Sequence, residues 1–243
     1  MSRSSPALVR LGFLIPPGNP TVEPELQRLA PPGVTVHFDR MVARGTPGTH
    51  EGQEERNRTM LAGLDENVEL IALVKPKVIV LAHTATSYSL SREDEAKLVA
   101  RLARAAGVPF VTAFGAVFAA LAHLGAKRVA VGTPYAPEVT LKSKKHLEAH
   151  GFAVPAWGQL DNVKNIYDET PERAASLVRS VNRPGVDAIF LSGTGMPTIE
   201  VLDALERETG KPVISSNSAM MWHALRTAGV QARVPGYGRL LSQ

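Results

Sequence analysis

VIVLAHTATSYS (Val78–Ser89) is the stretch that decides the fold, and DAIFLSGTGMPT (Asp187–Thr198) repeats its plan in the other half of the chain. Each begins as an apolar run rich in β-branched residues, the composition of a strand buried on both faces of a parallel sheet. Each then runs into Thr, Ser and Gly instead of bulk. In open α/β sheets, ligands bind at the carboxyl ends of strands. Two strand ends dressed with small hydroxyl residues are therefore expected to form two halves of one site.

Outward from these two runs, strand-like and helix-like segments alternate. Further strands are expected at Val9–Ile15, Val34–Arg40, Pro109–Thr112, Arg128–Gly132 and Pro212–Ser215, with helical periodicity at 23–29, 51–74, 91–106, 113–124, 136–150, 171–181, 198–209 and 218–228. Alternation of this kind predicts an α/β fold with parallel sheets and covering helices. Helix stops are marked by Gly107, Gly125, Gly151 and Gly210. LGFLIPPGNPTVEPEL (Leu11–Leu26) resembles RVAVGTPYAPEVTLKSK (Arg128–Lys144): strand, Pro-containing turn, helix start. The repeat predicts two similar lobes facing one cleft, residues 1–113 plus 215–243 forming the first and 114–214 the second.

Composition narrows the classes of function. The chain has 243 residues and a net charge of +4 from 27 basic and 23 acidic groups, which is ordinary for a globular protein. Lys142, Lys144 and Lys145 read as a solvated helix face, and 5% aromatic content argues against a base-stacking surface, so no nucleic-acid partner is expected. No apolar run is long enough for a bilayer, so no membrane partner is expected. Basic residues precede a short apolar run at the start of the chain, but Leu11–Ile15 is too short for a signal peptide, and a cytoplasmic location is expected. The seven histidines suggest no metal-ligand spacing, and no Walker-type or G-x-G-x-x-G loop occurs. The chain contains no cysteine, which excludes disulfides, thiolate ligands and any cysteine nucleophile or acid.

The candidate residues cluster at strand ends. Thr86, Ser87 and Thr194, with backbone N–H groups at Gly193 and Thr194, are placed to converge on a carboxylate. Helix capping is the competing reading for such hydroxyls, and Ser89, Ser91 and Thr198 fit that role. Tyr135, in GTPYAPEV, is either a phenol proton donor or a packed tyrosine. Asn19 and Pro17, in PPGNPTVEPE, occupy the matching turn of the first lobe, where Asn19 is a ligand donor or a turn former. His83 is either a core histidine or an acid–base group sharing a strand face with Ala85. Arg40 and Arg44 are surface arginines or carboxylate ligands.

These segments together resemble the aspartate/glutamate racemase superfamily, in its arylmalonate decarboxylase and maleate cis-trans isomerase branch. The resemblance runs through GFLIPPGNPTVEPE, TATSYS, VAVGTPY, DAIFLSGTGM, KPVISSNSAMMWHALRTAG and VPGYGRL. It implies two Rossmann-like lobes related by a pseudo-dyad, a small mono- or dicarboxylic acid between them, and no cofactor. The family's two cysteine positions fall on Ala85 and Gly193. The carboxylate-holding elements fall on Thr86, Ser87, Tyr135 and the backbone of Gly193 and Thr194. Two-thiol racemisation and thiol-adduct isomerisation are thereby excluded. What the resemblance leaves is a cofactor-independent lyase or isomerase that stabilises an enediolate in a dioxyanion hole and draws its proton from Tyr135, His83 or water. A carboxylate-binding sensor without catalysis is one alternative, and a hydrolase or hydratase using His83-activated water is another. If the family geometry is intact, cysteine returned at Ala85 and Gly193 should restore activity. A homo-oligomer is compatible with all three readings.

Overall fold

A computed structural model describes residues 8–243; of the two basic residues that precede Leu11, Arg3 lies outside that range and Arg10 belongs to the first strand. Two four-stranded parallel sheets carry the fold. The first lobe runs β1 (Val9–Ile15), α1 (Val22–Leu29), β2 (Val34–Arg40), α2 (Gln53–Ala62), α3 (Leu64–Ala72), β3 (Val78–Leu81), α4 (Thr84–Ser87), α5 (Arg92–Ala106), β4 (Phe110–Thr112) and α6 (Ala113–His123). The second runs β5 (Arg128–Thr133), α7 (Pro137–Ala149), β6 (Ala153–Gln159), α8 (Pro171–Val181), β7 (Ala188–Leu191), α9 (Ile199–Thr209), β8 (Val213–Ser215), α10 (Ser216–Thr227) and α11 (Arg239–Ser242). Strand order is β2-β1-β3-β4 in one sheet and β6-β5-β7-β8 in the other, so the repeat read from the sequence is a repeat of topology.

The two deciding runs are the inner strands β3 and β7. Every residue of VIVL and AIFL is buried, as two-sided burial in a parallel sheet requires. One face of the first sheet packs Leu14, Ile79 and Leu81 against Leu64, Val68 and Ile71 of α3 and Leu102 of α5. The other face joins a core shared with the second lobe. Register brings Leu81 level with Thr112 and Leu191 level with Ser215. Those two hydroxyl residues cap the helices that follow: Thr112 Oγ1 accepts from Gly115 N (2.9 Å) and Ser215 Oγ accepts from Ser218 N (3.2 Å). The helices so started, α6 and α10, pack on one another. Phe114 of α6 meets Phe190 of β7 edge to face, while α10 lies against β3 of the first lobe. α10 thus packs on elements of both lobes.

Three elements differ from the sequence reading, each for a local reason. The single helix expected over 51–74 is two, broken at Gly63, which serves as end of α2 and start of α3. The edge strand β6 (Ala153–Gln159) falls in a stretch the sequence reading leaves unassigned, and it contains Pro155. At an edge the missing N–H has no ladder partner to lose, and a register shift opposite Arg128/Ala130 absorbs the ring. The strand expected to run through His83 ends at Leu81, and Thr84–Ser87 coil into a one-turn helix, so His83 and Ala85 do not share a strand face.

Candidate active site

A cavity of about 40 Å³ lies between the lobes at the carboxyl ends of the strands. The first lobe supplies Pro16 and Asn19 from the β1–α1 turn, Arg56 and Asn57 from α2, and His83 from the end of β3. The second supplies Tyr135 from the β5–α7 turn, Tyr167, and Thr194–Gly195 from the end of β7. The β2–α2 loop roofs the space by crossing onto the second lobe, where Gly48 O accepts from Ile166 N (2.8 Å) and the His50 ring lies 3.0 Å from Pro134 O. Contact at Gly48 is so close that a Cβ there would stand 1.8 Å from Asn165 Oδ1.

Asn19 forms the turn, and its side chain also lines the cavity. Its Oδ1 accepts from Thr21 N (2.9 Å) and Val22 N (3.2 Å), which starts α1. Its Nδ2 donates across the cleft to Thr194 Oγ1 (3.1 Å). Because that oxygen is used as acceptor, the Thr194 hydroxyl proton is left to donate. Asn217 Nδ2 holds the Thr194 carbonyl from below (3.2 Å). Pro17 does not line the cavity; its neighbour Pro16 does, while the Pro17 carbonyl accepts from Arg40 (2.8 Å). Arg40 also pairs with Glu23, so it clamps the turn and does not face the cavity, and Arg44 is exposed outside it.

Tyr135 is 5% exposed, at the second strand-end pole. The Thr133 hydroxyl accepts from its backbone N–H (3.1 Å) and fixes the turn. Its own hydroxyl is 3.3 Å from where a Cβ on Gly193 would stand. Burial, with Tyr88 and Tyr167 adding to it, pushes the phenol well above its ordinary value, so it is protonated at neutral pH. Beside it, Thr84 Oγ1 donates to Ser216 Oγ (3.1 Å), which in turn accepts from Gly193 N (3.2 Å). The Gly193 N–H is thus engaged with Ser216. The first pole, Ala85, is fully buried against Tyr135 and Ile166.

The hydroxyls of Thr86 and Ser87 turn away from the cavity. Thr86 Oγ1 donates to His83 O (2.7 Å) and Ser87 Oγ to Glu95 Oε1 (2.8 Å), and neither side chain lines the space. Thr198, expected to cap α9, makes no side-chain cap. The cap arrives from the first lobe, where Glu25 accepts from Thr198 N (2.6 Å), Ile199 N (3.1 Å) and Asn217 Nδ2 (2.6 Å).

Sequence reasoning missed Arg56, because an arginine inside EGQEERNR reads as surface helix. It is 8% exposed and has no carboxylate partner among the described residues. Its guanidinium donates to the backbone carbonyls of Thr49 and Glu51, which tie down the roofing loop, and keeps further N–H groups for a ligand. Burial pulls its pKa below the ordinary arginine value, while Arg56 in turn helps to hold His83 low. Burial first and the Arg56 charge second push His83 down to about 4, so its imidazole is neutral at pH 7. Three buried wall atoms, Gln53 Oε1, Asn57 Oδ1 and His83 Nδ1, have no hydrogen-bond partner among the described residues. Arg56 and the His83 ring are the groups here able to donate to an anion, while the Gln53 and Asn57 amide oxygens can only accept, from a hydroxyl or N–H.

The expectation about histidine spacing needs correction: His146 and His150 stand i, i+4 along α7, and Glu95 from α5 meets them. No helix among the described residues is long and apolar enough to cross a membrane.

The arylmalonate decarboxylase family profile matches residues 11–241. The chain is 30% identical to a maleate isomerase of Nocardia farcinica over 96% of each sequence, and 28% identical to an arylmalonate decarboxylase of Bordetella bronchiseptica, again over 96% of each. A solved structure of the Nocardia farcinica maleate cis-trans isomerase with a covalently bound succinylcysteine intermediate superposes with a TM-score of 0.88 at 29% identity, covering 98% of this chain and 99% of that one. Fold and sequence agree along nearly the whole length, and this chain belongs to the arylmalonate decarboxylase family of small-acid lyases and isomerases.

Proposed function

We propose that the cleft stabilises an enediolate-type intermediate of a small dicarboxylic acid in a decarboxylase-like reaction, with the Tyr135 phenol as proton donor. The observation that carries this reading is the position of the Tyr135 hydroxyl at the second pole, in the space where a side chain on residue 193 would project. Isomerisation through a covalent adduct needs a nucleophile on carbon, and the chain has no thiol. Decarboxylation needs only an anion-stabilising cradle and a proton. The C–C bond to one carboxylate breaks, carbon dioxide leaves, and the electron pair spreads onto the remaining carboxylate as an enediolate. The Thr194 hydroxyl and Arg56 are the donors aimed at that charge. Carbon then takes the proton of the Tyr135 phenol, and water returns one to the phenolate. A phenol of raised pKa remains far more acidic than a carbon acid, so the transfer runs downhill.

His83 suits a different task from general base. A neutral imidazole whose conjugate acid has a pKa of about 4 is a weak base, which disfavours hydration through His83-activated water. As a neutral ring it accepts or donates one hydrogen bond to a bound acid.

The test is to incubate the purified chain with arylmalonates, maleate and alkyl-substituted malonates, following carbon dioxide release and deuterium uptake at carbon. The expected result is carbon dioxide release with one solvent deuteron in the product, lost in Tyr135→Phe. A thermal shift with these acids but no product supports the binding-protein alternative and overturns the catalytic one.

A further inference from the structure

Where α5 of the first lobe meets α7 of the second, Glu95, His146 and His150 converge. One ligand-capable atom from each lies within 4.8 Å of the others. His146 lies in the last turn of α7, and His150, four residues on, is the residue that ends the helix.

The hydrogen bonds leave the ligand atoms free. His150 Nδ1 lies 2.8 Å from the carbonyl oxygen of His146. Only an N–H can face a carbonyl, so Nδ1 carries the proton and Nε2 keeps its lone pair. This backbone-carbonyl anchor is how metal-ligating histidines are commonly oriented. Glu95 accepts the Ser87 hydroxyl on Oε1 (2.8 Å), and its Oε2 faces His146 Nε2 at 3.7 Å. That gap is too long for a hydrogen bond. It is close to the ~3.4 Å separation of two ligands at about 2.0–2.1 Å on a tetrahedral zinc ion.

An independent observation points the same way. His146 is 8% exposed, and its Nε2 is buried with no hydrogen-bond partner among the described residues. A buried polar atom of this kind normally has one. The rings are held by aromatic neighbours, Phe114 edge-on to His146 (4.8 Å) and Phe118 stacked on His150 (4.0 Å).

We propose that Glu95, His146 and His150 form a divalent transition-metal site, best matched to Zn²⁺, which clips α5 to α7 across the lobe boundary. Two imidazoles and one carboxylate suit zinc better than magnesium or calcium, which prefer all-oxygen sets. The fourth position is open to water. The site lies outside the substrate cavity, and its connection to that cavity is structural. Ser87, whose hydroxyl orients Glu95, closes the one-turn helix that carries Ala85.

The experiment is calorimetric titration of the chelator-treated full chain with Zn²⁺, repeated with His150→Ala and Glu95→Gln. Glu95→Gln keeps an acceptor for Ser87, and His150 lies at the end of α7 with its ring half-buried, so both variants are expected to fold. The expected result is one Zn²⁺ per chain, a zinc-dependent rise in Tm, and affinity at least about tenfold weaker in each variant. Co²⁺ in place of Zn²⁺ should give the visible absorption of a four-coordinate N/O site. The absence of stoichiometric binding, or binding equally tight in both variants, overturns the proposal. Circular dichroism of each variant separates loss of a ligand from loss of the fold.

Discussion

The Tyr135 hydroxyl stands 3.3 Å from the point a Cβ on Gly193 would occupy, and the Pro134 ring is 3.0 Å from the same point. Gly193 also has φ +113, a conformation that L side chains rarely adopt. The second pole is therefore a rebuilt position, with the phenol in the space a side chain would need. The contacts argue against the expectation that returned cysteines restore activity. Gly193→Cys should cost about 1–3 kcal/mol from backbone strain, with more from the Pro134 contact, and should gain no thiol-dependent turnover. Urea unfolding and the product assay together check it.

Tyr135→Phe removes one oxygen from a buried ring that packs edge-on to Tyr88. The variant should fold with nearly unchanged Tm and lose product formation by at least about a hundredfold, the scale of a lost general acid. Thr194→Val should also fold. It leaves Asn19 Nδ2 without its acceptor and should lower kcat by about tenfold or more through the lost donor.

Glu25 joins the lobes by capping α9 from α1 and holding Asn217. Glu25→Ala leaves two helix N–H groups and a buried amide without partners. It should destabilise the chain by about 3 kcal/mol, read as a fall in the urea midpoint.

Arg56→Lys preserves the charge but not the planar fork. If the guanidinium binds the second carboxylate of the substrate, KM for a dicarboxylate should rise about tenfold or more while that for a monocarboxylate changes little. An equal change for both acids would show that Arg56 serves the roofing loop alone.

His83 gives stability a pH dependence of known sign. Its folded pKa of about 4 lies below the unfolded 6.5, so between these values the unfolded chain binds the extra proton. Stability is held above pH 6.5 and lost as pH falls toward 4, by at most about 1.4 kcal/mol per pH unit from this one group. Urea midpoints at pH 7, 5.5 and 4.5 should fall in that order, and His83→Asn should flatten the trend by that share.

Much of the frame was legible in the chain itself. VIVL and AIFL predict inner parallel strands because every residue is apolar, and the paired Pro-turns predict two lobes of the same topology. The missing cysteines restrict the chemistry without any coordinates. Asn19, Thr194 and Tyr135 were legible as cleft residues because each follows the carboxyl end of a strand. The rest depended on distances between segments remote in sequence. Thr86 and Ser87 carry the right functional group, but a one-turn helix directs their hydroxyls to His83 O and Glu95. Thr198 looks like a cap, and a carboxylate 173 residues away supplies the cap instead. Arg56 reads as solvated helix until a loop crossing at Gly48 encloses it.

Local pattern determined what this protein is made of: alternating strands and helices, a duplicated plan, strand ends bearing small polar residues and no thiol. Those features follow from periodicity and composition, which act between near neighbours along the chain. Only the tertiary structure decided which polar groups face the cleft, that the phenol fills the second pole, and that two histidines meet a glutamate across the lobe boundary. Those outcomes depend on where rigid elements cross, and the crossing is set by packing of the shared core, not by any one segment.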